Sequence, residues 1–519
     1  MSHIATALVA TTVTTALALP LALPLTAPAP AARRAADRPA PPAAAPTASA
    51  ARPYSPGHAY AALRPYGPGH RHGPGRPYGP DRPYGPDRPY GSDRPNGPGR
   101  PYGPCALTGI RDHVSEVART PPGYARSSGT VRAITLFIDF PDAPAAGSVG
   151  ERYGEFFPRA ADYFRAASYG RLDYRPTAYA RWIRMSKPFA AYGIGRGTPF
   201  DPASGSGYHA LSKEILAAVD RDIDFRRYDV INVLAAPDAG PPATETVLSV
   251  TFGGGPLGLD TDDGVPFTNA SFIWSRQTGD SAFRVLDHEV AHSFGLPDLY
   301  YTGGNRRPSP VGHWDPMDED WGPANDFLAW HKWKLGWLRA GQVHCVPPVA
   351  ADAGPATGPG AGARTNPGTG TDARTSTRDD AGTNTHTDTR TSTSTGTSTH
   401  TLTPTTSADG TKLVVVPLSA TRAITVEARD RGPLDPAVCR PGVLVATVDA
   451  AAATGTGPVR VSDATPGSAG CAAGERNVNP ALSDATYRAG QTFAADGVTV
   501  EVLGQDDAGR WRVRVTAKR

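Results

Sequence analysis

Beyond an apolar leader, apolar positions fall into two dense blocks, with apolar-poor stretches before and between them. In the first block, residues 131–140 (VRAITLFIDF) form a continuous apolar run of strand type. Residues 153–169 carry helical spacing, which Pro158 is predicted to kink or divide. Residues 172–174 and 179–185 read as strands. Residues 208–220 (YHALSKEILAAVD) place Leu211, Ile215, Leu216 and Val219 on one side of a helix. A buried strand is predicted at 230–235. Two more follow at 247–252 and 271–275, separated by a Gly- and Asp-rich loop. A helix starts near Ala282. The run DFLAWHKWKLGW (326–337) closes the block as an aromatic-rich helix, with Trp330, Trp333 and Trp337 read as core. His313 and His331 read as packing or surface histidines. The second block, 413–519, contains KLVVVPL, RAITVEAR, GVLVATVD, GVTVEVLG and RWRVRVTAK. Short strands between Gly and Asp turns predict an antiparallel β-sandwich there, to which no chemistry is assigned.

Composition explains the apolar-poor stretches. The chain has 519 residues, 57 of them Gly and 54 Pro, and only 39% are hydrophobic. Between 33 and 104 the hexapeptide RPYGPD recurs at 76–81 and 82–87, then RPYGSD at 88–93. So much Pro and Gly at a six-residue period cannot bury a core, and the segment reads as an extended or disordered arm. It serves as a spacer or disposable pro-region, or its regular Tyr and Arg contact a cell-wall polymer or partner. Residues 355–409 are low-complexity Thr, Ser, Gly and Asp, a flexible linker. His386 and His400 fall within it and are not expected to bind metal.

The first 32 residues read as an export signal. Residues 4–25 carry no charge, and Ala27-Pro28-Ala29 offers a small-x-small cleavage site. The leader has His3 but no Lys or Arg before the apolar run, and a membrane anchor is the alternative. The net charge of +3 is too small and diffuse to argue for nucleic acid. The expectation is a secreted monomer that acts on extracellular proteins and has no stable membrane insertion once the signal is cut. Four cysteines (Cys105, Cys345, Cys439, Cys471) fit two disulfides in an exported protein. Of the three pairings, Cys105–Cys345 with Cys439–Cys471 is favoured.

The chemistry concentrates in DHEVAHSFGLPDLY (287–300). His288 and His292 lie one turn apart on one helical face, so both imidazoles can bind one Zn²⁺. Gly295 stops the helix in a left-handed turn. Pro297 stiffens the return, and Asp298 comes back as a third ligand. Three protein ligands leave a fourth position for water, as in catalytic zinc sites. Zinc would bring that water's pKa towards about 7, and Glu289 would take its proton as it attacks a carbonyl. Glu319 is the rival third ligand, at a longer spacing of the thermolysin-like kind.

HEVAHSFGLPDLY, with VGHWDPMD (311–318) after it, resembles the M6 metallopeptidases, the immune inhibitor A-like family of secreted bacterial proteases. YFRAASYGRL (163–172) and DFRRYDVINVL (224–234) are similar to M6 segments as well. The resemblance implies an α+β zincin catalytic domain over 105–345, with a twisted mixed sheet, a backing helix and the HExxH active-site helix. A β domain follows it, here 410–519. Met317 matches the Met-turn residue, an apolar floor under the metal and not a ligand. The implied activity is zinc-dependent endopeptidase. Calcium at the loop Asp260-Thr261-Asp262-Asp263 is left open, as is a latent form in which Cys105 blocks the zinc. The competing class is a surface adhesion protein whose peptidase-like domain no longer cuts. Such a protein would be expected to lose the base first, and Glu289 is present.

Overall fold

The computed structural model describes residues 103–110, 114–118, 120–239, 249–274, 282–302, 308–320, 323–346, 396–468, 470 and 480–518. Residues 1–32, expected to be an export signal, the RPYGPD repeat and most of the expected linker lie outside the described residues. The architecture is mixed α+β, with several sheets and few helices. No helix among the described residues is long and apolar enough to cross a membrane.

The first apolar block builds a five-stranded sheet from β1 (Gly129–Asp139), β2 (Leu172–Arg184), β3 (Val230–Ala235), β4 (Val250–Phe252) and β5 (Ala270–Ile273). Its order is β2-β1-β3-β5-β4, parallel except for the edge strand β4, which runs antiparallel to β5. The two strands read at 172–174 and 179–185 are one strand, with a register shift opposite residues 135–137. The helices are α1 (Val149–Gly154), α2 (Arg159–Ala167), α3 (Gly207–Val219), α4 (Ala282–Ser293) and α5 (Ala329–Lys334). Pro158 divides the helical stretch as expected and stands at the N-cap of α2. Val131, Ala133 and Phe137 pack with α2 and α4, while Ile134, Leu136 and Ile138 pack with α3. Burial on both faces is why β1 reads as a continuous apolar run rather than an alternating one.

The closing helix is shorter than the apolar pattern predicts. Its amino end is set by distant carboxylates: the Leu328 N–H donates to Asp315 at 2.7 Å and the Ala329 N–H to Glu427 at 2.8 Å. At its other end Gly336, with φ +74, reverses the chain, and the Trp337 N–H reaches back to the Lys332 carbonyl at 2.8 Å.

The second block forms two further sheets. β6 (Val343–Cys345), β8 (Leu413–Pro417), β9 (Arg422–Arg429), β10 (Gly442–Asp449) and β11 (Val459–Val461) make one, in the order β11-β10-β9-β8-β6. β7 (Gly396–Leu402), β12 (Thr492–Ala495), β13 (Val498–Gln505) and β14 (Trp511–Ala517) make the other, in the order β12-β13-β14-β7. Both are antiparallel apart from the β6–β8 pair. Two expectations change here. The linker ends before Gly396: its Thr-rich tail alternates in β7 against β14, because β-branched Thr suits a half-buried strand. His400 therefore sits in a sheet, its Nδ1 at 3.0 Å from Nδ1 of His344. All the described residues belong to one compact unit. Val414, Val416, Ile424 and Val445 face the other β sheet, but Leu413, Val415, Leu444 and Val448 join the core that holds α2, α4 and α5. Exposing those four would cost about 1.5–3 kcal/mol each. That approaches or exceeds a typical domain's whole stability of about 5–15 kcal/mol, so the two blocks fold together.

Cys105 and Cys345 form a disulfide that ties the start of the described chain to β6. Cys105 is therefore not a free thiol, and the latent form it suggested has no ligand. Cys439 is disulfide-bonded too, while Cys471 lies outside the described residues.

Buried charges rivet the blocks together. Arg429 on β9 pairs with Glu427 at 3.1 Å and Asp435 at 2.9 Å, and donates to the carbonyls of Trp314 and Asp326, each at 3.1 Å. Arg429→Ala would strand two carboxylates in the core and is expected to destabilise by about 3–5 kcal/mol. Arg514→Ala, which breaks an exposed pair with Glu501, should cost under about 1 kcal/mol. Urea midpoints of the two variants check the contrast.

Of the two readings of His331, packing or surface, the structure shows packing: it is fully buried. Its Nδ1 lies 2.8 Å from Asp315 and its Nε2 2.9 Å from Glu116, all fully buried. Burial alone would lower its pKa, but the two carboxylates outweigh it and raise the imidazole to about 10. Because that exceeds its ordinary value of 6.5, the contribution is complete below about pH 6.5 and fades as the pH rises through about 10. Lys334, depressed by burial to about 8 beside Glu116, acts in the opposite sense. The expected result is therefore a difference: the unfolding-temperature gap between wild type and His331→Gln is widest below pH 6.5 and narrows towards pH 10.

Candidate metal centre

Helix α4 is buried on nearly all sides and presents His288, Glu289 and His292 beside the edge strand β4. It ends as the sequence requires. Gly295 takes φ +86, its N–H donates to the His292 carbonyl at 2.8 Å, and the Leu296 N–H reaches the Ala291 carbonyl at 3.1 Å. A Cβ on Gly295 would meet Thr120 at 2.4 Å, so packing adds to the demand for glycine. The reversal brings Asp298 back over the two histidines.

Asp298 Oδ1 lies 3.2 Å from His288 Nε2 and 3.3 Å from His292 Nε2. Four tetrahedral ligands at zinc distances of about 2.0–2.1 Å would stand ~3.3 Å from one another. Both outer nitrogens are already engaged: His288 Nδ1 donates to the Pro316 carbonyl at 2.8 Å, and His292 Nδ1 to the Leu296 carbonyl at 2.7 Å. That fixes the tautomer that leaves each Nε2 as the ligand atom. The donor set thus fits a zinc ion. Among the described residues this is the one group of three or more His, Cys, Asp or Glu side chains able to hold a metal.

Burial disfavours a charged His288, yet its hydrogen bond to Asp298 and the nearby charges of Asp320, Glu289 and Asp298 raise it to about 10. His292 is raised against the same burial, chiefly by Asp298. Burial pushes Asp298 up, but the two imidazoles hold it well below the usual carboxylate range. A metal entering the site would displace these protons, which makes its affinity rise with pH.

Glu289 sits beside the triad and is held by the sheet. Thr251 on β4 donates to Glu289 Oε2 at 2.8 Å and stands 2.7 Å from the Glu289 carbonyl. Thr251 is itself paired across the strands with Ser271 at 2.8 Å. Burial raises the Glu289 carboxyl above its ordinary range, opposed by His292, His288 and the Thr251 hydroxyl.

Met317 is fully buried in the turn that follows, its carbonyl accepting the Leu299 N–H at 2.9 Å. The same turn supplies the Pro316 carbonyl to His288. Glu319 is turned elsewhere: its carboxylate lies 3.8 Å from His313, whose imidazole burial depresses to about 3. In the loop Asp260-Thr261-Asp262-Asp263, Asp263 accepts the Phe225 N–H at 2.7 Å and stands 3.5 Å from Arg226. Three neighbours of the triad were not singled out from sequence. The Tyr300 ring centroid lies 6.2 Å from that of His288, and burial, followed by the charge of Asp298, raises its hydroxyl well above the ordinary range. Thr251 and Thr454 are the others. The adjacency of Tyr300 to Asp298 was a usable signal; the two threonines gave none. No protein-family model matches the chain, and no curated protein matches it in sequence.

Proposed function

We propose that this chain is a zinc-dependent endopeptidase of zincin architecture, similar to the M6 peptidases, exported and acting on extracellular proteins. The observation that carries the reading is the convergence of His288 Nε2, His292 Nε2 and Asp298 Oδ1 at tetrahedral spacing, with Glu289 fixed beside them. His288, His292 and Asp298 would hold a zinc ion, whose Lewis-acid chemistry would favour attack of water on a peptide carbonyl. Glu289 takes the proton released in that attack and returns it to the departing amine. Thr251 keeps the carboxylate aimed while the proton moves. Clearing of a casein gel by the full-length protein, abolished by a zinc chelator, tests this reading. A gel that stays opaque with zinc present would favour a binding protein instead.

A further inference from the structure

The loop after β10 belongs to the C-terminal sheet, yet it lies directly on the segment that carries Asp298. Thr454 Oγ1 accepts the Asp298 backbone N–H at 2.9 Å and stands 3.4 Å from Asp298 Oδ2. The Gly455 N–H donates to the Asp298 carbonyl at 3.0 Å. Further along, the Thr302 N–H donates to the Gly455 carbonyl at 2.9 Å, and Tyr301 forms a bridge with Thr456. The two segments therefore run as a short pair of strands, closed at the ligand by a hydroxyl. Glycine permits the close approach. Gly455 and Gly457 take φ +71 and +73; a Cβ on the first would meet Thr302 Oγ1 at 2.2 Å, and on the second the Tyr301 ring at 2.9 Å.

We propose that Thr454 is a positioning residue for the metal centre, so that the C-terminal β unit completes the site. The proposal rests on reading His288, His292 and Asp298 as metal ligands. Asp298 follows a helix end and sits on a turn rather than in a regular element, so its main chain needs anchors. The loop holds both its N–H and its carbonyl. The carboxylate divides its oxygens: Oδ1 faces the two imidazoles, and Oδ2 faces the Thr454 hydroxyl. A hydroxyl on Oδ2 fixes the rotation that presents Oδ1. Without it the carboxylate turns freely, and metal binding must order it. Partners that orient a ligand in this way typically contribute about 10–100-fold in metal affinity.

The test titrates full-length wild type, Thr454→Val, Thr454→Ala and Thr454→Ser with Zn²⁺ against a chromophoric chelator. Visible spectra of the Co²⁺ forms are recorded alongside. Wild type should bind about one zinc. Val and Ala should bind about 10–100-fold more weakly and shift the Co²⁺ bands, while Ser restores both. Unfolding temperatures in chelator check that all four proteins are folded under the titration conditions, since Val and Ala also remove the acceptor of the Asp298 N–H. Equal zinc affinity in Thr454→Val and Thr454→Ala, or a Ser variant as weak as Val, overturns the proposal and leaves the metal site standing. A wild type that binds no zinc overturns the metal-site reading, and this proposal with it.

Discussion

Glu289→Gln is expected to lose peptide hydrolysis by about 10²–10⁴-fold while keeping its zinc and its fold. The side chain is buried and held by Thr251, so a charged or larger replacement would disturb the packing. Gln has the same shape, and its amide oxygen can still accept from Thr251. What it cannot do is take a proton from water. None of the three ligand atoms is touched, and both imidazoles keep their carbonyl partners. Turnover of a casein-derived peptide, with zinc content by mass spectrometry on the same preparation, reads both halves. Near-normal turnover in a zinc-replete Glu289→Gln sample would refute the proposed mechanism.

The second large effect separates two acids. Asp298→Ala removes one corner of the triad and is expected to weaken zinc binding by more than the ~10–100-fold typical of losing a residue that merely orients a ligand. Activity should vanish with it. Glu319→Ala should keep its zinc, because that carboxylate faces His313 and not the triad. It should instead lower the unfolding temperature, since Glu319 is buried beside that imidazole. Chelator competition on the two purified variants decides between them. A zinc-replete Asp298→Ala beside a zinc-free Glu319→Ala would reverse the assignment.

Much of this was legible in the chain because the relevant forces are local. The buried strand at 230–235, the split at Pro158 and the helix stop at Gly295 follow from apolar runs and from what Pro and Gly allow. The gathering of His288, His292 and Asp298 followed from helical spacing plus one reversal. What escaped was set by distant partners. The ends of α5 depend on carboxylates of Asp315 and Glu427, which no local pattern encodes. β7 was hidden because Thr and Ser read as low complexity until β14 gives them a partner. The apolar runs in KLVVVPL and GVLVATVD did carry a signal, since strands with no polar face are buried on both sides. That signal marked the sheet as shared with α2, α4 and α5. Thr454 meets Asp298 across 156 residues of sequence, in a Gly-Thr loop that resembles any surface turn.

The most direct test strips the full-length protein with a chelator and follows casein hydrolysis as Zn²⁺ is returned. The account predicts no turnover in the stripped protein and a rate that saturates near about one equivalent of zinc per chain. Turnover that persists without zinc, or none once zinc has been restored, would contradict it.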